Sequence, residues 1–217
     1  ERIREIASRG HEIACHGSEH VPLSRLGRGG FADDLKRNLE DLALAGVTQA
    51  AGFRAPVLSL TAETPWAHEV LAELGFRYSS SVLPAGTSLY GWPGFDRSCR
   101  RTSAGVWEIP VSLSGLPGLD IPFAAGVFFR ALPLPAIRLF FRRTLRRREP
   151  VVGYFHPYDI DTEQERFMFP EIGGSHLYNA LMYWNRQRVL PRLEKVIGCW
   201  AEVVPYVTYL THELESH

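Results

Sequence analysis

The sequence predicts an α/β fold with parallel strands, and two observations support this prediction. Along residues 1–80, segments with helical periodicity alternate with short apolar segments, in the order helix, strand, helix, strand, helix, strand. Polar clusters that contain histidine or arginine directly follow several of the apolar segments. This arrangement is typical of a parallel sheet or barrel whose functional residues lie at the carboxyl ends of the strands.

The composition indicates one ordinary globular domain over residues 1–217, and we expect residues 166–217, where helical patterns predominate, to form a C-terminal extension of that domain. The chain is 45% hydrophobic and 22% charged, and its formal net charge of zero does not favour a nucleic-acid partner. No apolar stretch reaches the roughly 20 residues that a transmembrane helix needs. The sequence lacks a signal peptide and begins at Glu1 within a helix-like segment, so we expect a further N-terminal piece in the natural protein.

Periodicity and capping residues predict the following elements in the first half of the chain. They are a helix over 1–9, a strand over 11–15, a loop at Pro22 to Gly30, a helix over 31–43, a strand over 50–53, a helix capped by Thr61 and ended by Gly75, and a strand over 76–80.

The second half contains longer stretches that are rich in proline and glycine, at 84–105 and 115–126. The elements expected there are a strand over 107–113, an arginine-rich helix over 134–148 with a solvated basic face, a strand over 151–155, helices over 176–199 with a start or kink at Pro191, a strand over 202–204, and a short C-terminal helix.

Three polar clusters follow apolar strands: His16 with His20, then Arg54-Ala55-Pro56, then His156-Pro157. If residues 16–20 open a helix, the two histidines lie on one face with Cβ atoms about 5–6 Å apart. Two such imidazoles can bind one metal ion, although a catalytic zinc usually has three protein ligands. Cysteine adds no Cys-x-x-Cys metal motif and no disulfide framework.

Each cluster also has a purely structural interpretation. The histidine pair can cap a strand or bind surface water, Arg54 can be an ordinary surface residue, and His156 can be a satisfied core histidine. In a functional site, Arg54 would hold a carboxylate and His156 would act as a general acid, tuned by Asp159 or Asp161. We expect the aromatic residues Tyr178, Tyr183 and Trp184 to belong to a core rather than to a sugar-binding platform.

Five segments resemble the NodB-type polysaccharide deacetylases, carbohydrate esterase family four, and especially their bacterial branch beside exopolysaccharide and exosortase systems. They are residues 10–20 (GHEIACHGSEH), 52–56 (GFRAP), 78–84 (YSSSVLP), 125–133 (AGVFFRALP) and 154–161 (YFHPYDID). The resemblance implies an irregular (β/α) barrel, incomplete at its N-terminus, and hydrolysis of N-acetyl or O-acetyl groups on a bacterial polysaccharide. The implied cofactor is a divalent metal, with zinc first and cobalt or manganese as alternatives.

The resemblance also assigns roles to individual residues. His16 and His20 match the metal-binding histidines, and Arg54 matches the arginine that orients the catalytic aspartate. The Val57 N–H matches an oxyanion donor, and His156 matches the general acid. Pro56 and Tyr158 would contact the substrate, an acetylated polysaccharide or oligosaccharide.

Two departures from the family pattern matter for activity. The paired aspartates of the first motif, a base and a metal ligand, would lie before residue 1, and Asp33-Asp34 does not replace them because a helix is predicted there. Residues 79–81 are serines where other branches carry an aspartate. We therefore expect the chain alone to bind metal poorly and to be nearly inactive.

Two alternatives to the deacetylase remain open at this stage. A non-catalytic carbohydrate-binding relative would lack the catalytic aspartates altogether. A different metal-dependent hydrolase on a similar barrel would act on a non-glycan acyl group. The sequence does not decide between bacterial cytoplasm and periplasm, and it leaves the oligomeric state open.

Overall fold

The computed structural model describes residues 1–86, 90–116, 119–169 and 173–215, which form two compact units. The first unit contains Glu1–Val111 and Val204–His217, and the second contains Ser112–Val203. The predicted C-terminal extension, residues 166–217, is therefore divided between the two units. That all 217 residues form one domain stays a prediction.

The first unit combines helices with a small sheet. Its helices are α1 (Arg2–Ser8), α2 (Leu23–Leu44), α3 (Ala67–Glu73) and α9 (Tyr206–Tyr209), with a 3₁₀ turn at Pro56–Leu58 and a π turn at Leu210–Leu214. Its strands are β1 (Gly52–Phe53), β2 (Tyr78–Ser79), β3 (Arg100–Arg101) and β4 (Trp107–Glu108).

The sheet of the first unit is mainly parallel. Its strand order is β1-β2-β4-β3, where β1, β2 and β4 run parallel and β3 pairs antiparallel with β4. Cys15 adds a parallel bridge to Phe53, at the end of the predicted strand over 11–15. The predicted α/β class with parallel strands is confirmed. Two of the three predicted polar clusters belong to this sheet, since His16 with His20 follows the Cys15 bridge and Arg54-Ala55-Pro56 follows β1.

Helices α2 and α3 cover the sheet and bury its apolar residues. Phe31 and Leu35 from α2 and Leu71 from α3 are buried in one cluster with Phe53. The Phe31 and Phe53 rings meet edge to face, with their centroids 5.2 Å apart. This packing fixes α2 directly beside the strand ends.

The second unit has its own core. It contains a hairpin of β5 (Ser114–Leu116) and β6 (Leu119–Ile121), the helices α4 (Gly126–Ala131), α5 (Leu134–Arg146), α6 (Pro157–Ile160), α7 (His176–Tyr183) and α8 (Val189–Trp200), and a 3₁₀ turn at Arg186–Arg188. Buried phenylalanines and aliphatic side chains of α4, α5 and α8 pack together, among them Phe129, Ile137 and Val196. The predicted amphipathic helix near 134–148 is confirmed, and Arg142, Arg143 and Arg146 on it are exposed.

Several predicted elements are wrong. The segment Pro22 to Gly30 is not a loop, because α2 already begins at Leu23 and is only broken at Gly27, whose φ is 65°. Thr61 does not cap α3, because its hydroxyl accepts the Glu63 N–H in a separate turn. Residues 202–204 form no strand.

The aromatic residues of α7 differ from the expected core. Tyr178 is 61% exposed and Trp184 is 47% exposed, while Tyr183 is partly buried and packs against Phe169. The apolar spacing of a short helix did not distinguish a core face from an exposed one. Within the described residues, no helix has the length and apolar character needed to cross a membrane.

Candidate functional site

The two histidines of the first cluster lie side by side on a loop, not on a helix. Their ring centroids are 5.0 Å apart with an interplanar angle of 71°. Gly17 and His20 have φ values of 79° and 53°, which excludes a helix over 16–20. The predicted helical spacing is therefore wrong, although the turn brings the two rings together as that spacing would have done.

Asp34 of α2 fixes this loop through hydrogen bonds to its backbone. Its buried carboxylate accepts the backbone N–H groups of Ser18 and Glu19, each at 3.0 Å. A Cβ at Gly17 would lie 2.7 Å from Asp34 Oδ2, so only glycine allows this close approach and the positive φ. Hydrogen bonds to a charged acceptor contribute about 1.5–3 kcal/mol, so Asp34 fixes the loop conformation strongly.

A second bond links the loop to the arginine segment. His16 Nδ1 lies 2.7 Å from the Arg54 carbonyl oxygen, which can only accept, so the proton lies on Nδ1. The lone pair of His16 is then on Nε2. Metal-binding histidines commonly donate their other N–H to a carbonyl or carboxylate in this way.

The site supplies two nitrogen donors but lacks a full ligand set within the residues that the structure describes. No group of three or more His, Cys, Asp and Glu side chains that could hold a metal occurs there. Burial raises the pKa of the adjacent Cys15 thiol to about 12, so this thiol stays protonated near neutral pH and does not supply a thiolate. The donor set therefore fits a metal site only in part.

Arg54 is held in one orientation by the neighbouring strand end and by the C-terminal segment. Its Nε donates to the Ser80 carbonyl at 2.9 Å, and its Nη2 donates to the Ser80 hydroxyl at 2.8 Å. Nη2 also donates to the Tyr206 hydroxyl at 2.6 Å. An ordinary surface arginine would not have this number of fixed partners.

The turn after Arg54 is strained. Val57 has a φ of 49° and a ψ of 25°, a left-handed conformation that is a genuine outlier for a β-branched residue. Such strain persists only where the surroundings impose it, and it concentrates at functional sites. Here the Ala55 N–H, two residues earlier, donates to the Ser81 hydroxyl at 2.9 Å.

The three serines at the end of β2, residues 79–81, have a structural role. Ser80 holds Arg54 and Ser81 holds Ala55, while Ser79 and Ser81 share a hydrogen bond of 2.8 Å. Fully buried Glu108 of β4 accepts the N–H groups of Ser81 at 2.7 Å and Val82 at 2.9 Å, and contacts His68 at 3.0 Å. This buried network supports the Arg54 turn.

His156 lies in the second unit, at the N-terminus of α6. The His156 backbone N–H donates to Asp159 Oδ2 at 2.9 Å, and the ring nitrogen Nδ1 lies 3.5 Å from the same oxygen. Its Nε2 lies 3.1 Å from the Tyr154 hydroxyl, and its ring stacks on Tyr158 with centroids 4.5 Å apart. The ring is thus oriented on three sides and remains partly exposed.

Asp159, and not Asp161, is the carboxylate beside His156. Asp159 is buried and pairs with fully buried Arg130, whose Nη2 lies 3.1 Å from Oδ1. Burial lowers the pKa of the Arg130 guanidinium, and the Asp159 carboxylate opposes this effect. The Asp161 side chain instead accepts the Glu163 N–H.

The site residues predicted from the sequence therefore fall into two groups. His16, His20, Arg54, Pro56 and Val57 belong to the first unit, where the His16–Arg54 contact joins the histidine loop to the arginine turn. His156 and Tyr158 stack on each other in the second unit. The sequence patterns did not indicate a role for Asp34, Glu108, Arg130 or Tyr206, because polar residues at ordinary helix or strand positions give no local sign of their distant partners.

Comparison with known families identifies the class of the chain. The family model "Polysaccharide deacetylase" matches residues 1–79. The model "Domain of unknown function (DUF3473)" matches residues 80–207, which is more than half of the chain. The chain belongs to the family of the DUF3473 model, and its residues 1–79 match the polysaccharide deacetylase model, so the predicted family resemblance and the α/β fold class are confirmed.

The DUF3473 domain is typical of the exopolysaccharide-associated branch of the polysaccharide deacetylases. The crystal structure of a provisionally assigned polysaccharide deacetylase from Mycobacterium smegmatis matches 70% of the chain at 23% identity and a TM-score of 0.46. The match spans half the length of that protein. No curated protein matches the chain significantly.

Proposed function

We propose that this chain is part of a metal-dependent hydrolase that removes acetyl groups, N-acetyl first, from a bacterial polysaccharide. The observation that carries the proposal is the hydrogen bond between His16 Nδ1 and the Arg54 carbonyl oxygen. It joins the two family motifs that would bind metal and orient the catalytic base, and it leaves the His16 lone pair on Nε2. The match of residues 1–79 to the polysaccharide deacetylase model supports the reaction class.

His16 and His20 would hold a divalent cation, zinc first, with a further carboxylate ligand from a segment outside residues 1–217. Such a cation polarises the acetyl carbonyl and lowers the pKa of a coordinated water. Arg54, fixed by Ser80 and Tyr206, would orient the carboxylate base. The strained turn would present the Val57 N–H to the tetrahedral oxyanion, a contribution of about 3 kcal/mol.

His156 would protonate the leaving amine or alcohol. Asp159 beside Nδ1 would set the orientation of the ring, and Tyr158 would stack on its face and extend to the substrate. The partly exposed imidazole suits this role, because a general acid must reach the substrate and return its proton. Pro56 would contact the sugar beside the histidine loop.

The test measures acetate released from acetylated glucosamine oligomers by the protein extended with its own upstream coding sequence, loaded with zinc, cobalt or manganese. We expect chelation, His16→Ala, His20→Ala or His156→Ala to reduce the rate by at least about 100-fold, as typical for removal of a general acid or a metal ligand. The matched control is His11→Ala, which removes an exposed histidine five residues before His16.

Two outcomes would contradict the proposal. If the metal-loaded protein binds the oligomers but releases no acetate, the chain is a carbohydrate-binding relative. If it hydrolyses only acyl compounds without a sugar, it is a different metal-dependent hydrolase. Residues 1–217 alone should show little metal binding and little activity under the same conditions.

A further inference from the structure

The C-terminal segment of the chain returns to the predicted catalytic arginine. Tyr206 is 152 residues away from Arg54 in sequence, and its hydroxyl accepts the Arg54 Nη2 proton at 2.6 Å. The guanidinium carbon also lies 5.6 Å from the centre of the Tyr206 ring. The tyrosine therefore accepts a hydrogen bond from Arg54 with its hydroxyl, and its ring also lies near the guanidinium group.

Tyr206 is itself fixed by two neighbours. Its ring stacks on buried Tyr78 of β2, with centroids 5.3 Å apart and planes within 5°. The Tyr78 hydroxyl donates to Glu12 Oε1 at 2.7 Å, and the Val207 N–H donates to Glu12 Oε2 at 3.0 Å. One carboxylate thus ties α9 to β2, and the position of the Tyr206 ring is determined.

Burial, together with the Glu12 carboxylate, raises the pKa of Tyr78. The Tyr78 hydroxyl consequently keeps its proton near neutral pH and donates it to Glu12. The Tyr206 hydroxyl oxygen acts as the acceptor towards Arg54, because a guanidinium group has only donors.

We propose that Tyr206 is a positioning residue for Arg54, which rests on the proposed function of Arg54 as the group that orients the catalytic base. Ser80 holds one edge of the guanidinium group through Nε and Nη2, and Tyr206 adds a third bond from a different part of the chain. Three bonds from two directions fix both the plane and the rotation of the fork. The C-terminal segment of the chain thereby helps to fix the Arg54 side chain.

The test compares Tyr206→Phe with Glu215→Gln. Tyr206→Phe keeps the stacking ring and removes only the hydroxyl that accepts from Arg54. Glu215→Gln weakens the exposed Arg77–Glu215 ion pair, which tethers the same segment without touching Arg54. The first readout is the NMR resonance of the Arg54 Nε–H in the protein of residues 1–217. The Arg54→Lys variant assigns this resonance by its disappearance. We choose this readout because it requires neither metal nor activity.

We expect Tyr206→Phe to shift and broaden the Arg54 resonance and Glu215→Gln to leave it unchanged. In the extended protein, Tyr206→Phe should lower kcat by roughly tenfold, the loss expected for one hydrogen bond to a charged group, with KM nearly unchanged. An Arg54 resonance that is insensitive to Tyr206→Phe, or an equal kcat loss in both variants, would overturn the proposal. If the resonance responds but the wild-type extended protein hydrolyses no glycan, the proposed function fails while the Tyr206–Arg54 contact stands.

Discussion

Asp34 stabilises a loop to which it does not belong. Its buried carboxylate accepts the Ser18 and Glu19 N–H groups, and so it determines the separation of the His16 and His20 rings. Asp34→Asn replaces one carboxylate oxygen by a donor that cannot accept these protons. We expect the free energy of unfolding in urea to fall by about 1–3 kcal/mol and the metal affinity of the extended protein to fall by about 10- to 100-fold.

The neighbouring residue provides a matched control for this prediction. Asp33 lies on the same helix, is exposed, and faces Lys36 at 3.6 Å. Asp33→Asn removes the same charge from α2 and should change stability by no more than about 0.5 kcal/mol. Equal effects of the two substitutions on metal affinity would show that helix charge, and not the loop, is responsible.

The sequence predicted the residues with distinctive chemistry but not the residues that hold them. His16, His20, Arg54 and His156 were found because histidine and arginine follow apolar segments in a family-specific order. Asp34, Glu108 and Tyr206 act on residues between 15 and 152 positions away. Such pairs arise only when the chain folds, so a single sequence contains no local pattern for them.

At the scale of the structural element, the strained backbone of the 3₁₀ turn at Pro56–Leu58 leads us to expect an unusual effect of glycine on the free energy of unfolding. Val57 has a positive φ, where a Cβ atom costs about 1–2 kcal/mol that glycine does not incur. Glycine normally weakens a folded chain relative to alanine by about 0.5–1 kcal/mol. We therefore expect Val57→Gly to be as stable as Val57→Ala or more stable, by up to about 1 kcal/mol in urea unfolding.

The reverse order is expected at a helical position. Ala32 lies within α2, and Ala32→Gly should reduce the free energy of unfolding by about 1 kcal/mol. A Val57→Gly variant that is clearly less stable than Val57→Ala would mean that the turn is not strained. In the extended protein, the Val57→Gly substitution should also lower kcat, because it makes the turn more mobile. A variant with lower kcat but unreduced stability would distinguish the proposed oxyanion role of Val57 from its effect on folding.

Elements with a clear apolar pattern were predicted, and those in stretches rich in proline and glycine were not. The periodic residues Phe31, Leu35 and Leu42 identified α2, and Ile137 and Phe141 identified α5. The hairpin of β5 and β6 falls in the stretch over 115–126, which is rich in proline and glycine and has no apolar period, and α4 begins only at the end of this stretch. The kink at Gly27 was mistaken for a loop, because a glycine cluster does not show whether the helix resumes on both sides.

At the scale of the whole molecule, both ends of the chain contribute to the first unit. The chain leaves this unit after Val111 and re-enters it at Val204. Residues 204–215 then add the Glu12–Val207 and Arg54–Tyr206 hydrogen bonds, the Arg77–Glu215 ion pair, and the fully buried Leu210. The last segment is therefore a structural part of the first unit, although the second unit precedes it in sequence.

Deletion of residues 204–217 should consequently destabilise the first unit. Two hydrogen bonds at roughly 1 kcal/mol each and the loss of buried Leu210, at about 2–5 kcal/mol, predict a decrease of about 4–7 kcal/mol in its free energy of unfolding. Hydrogen–deuterium exchange resolves the effect by location. We expect faster exchange at Cys15, β1 and β2, where Glu12, Arg54 and Tyr78 lose their partners. Exchange in α5 and α8 should stay unchanged, since the contacts described for the deleted segment lie in the first unit. Equal acceleration in both units would show that the segment supports the whole chain and not the first unit alone.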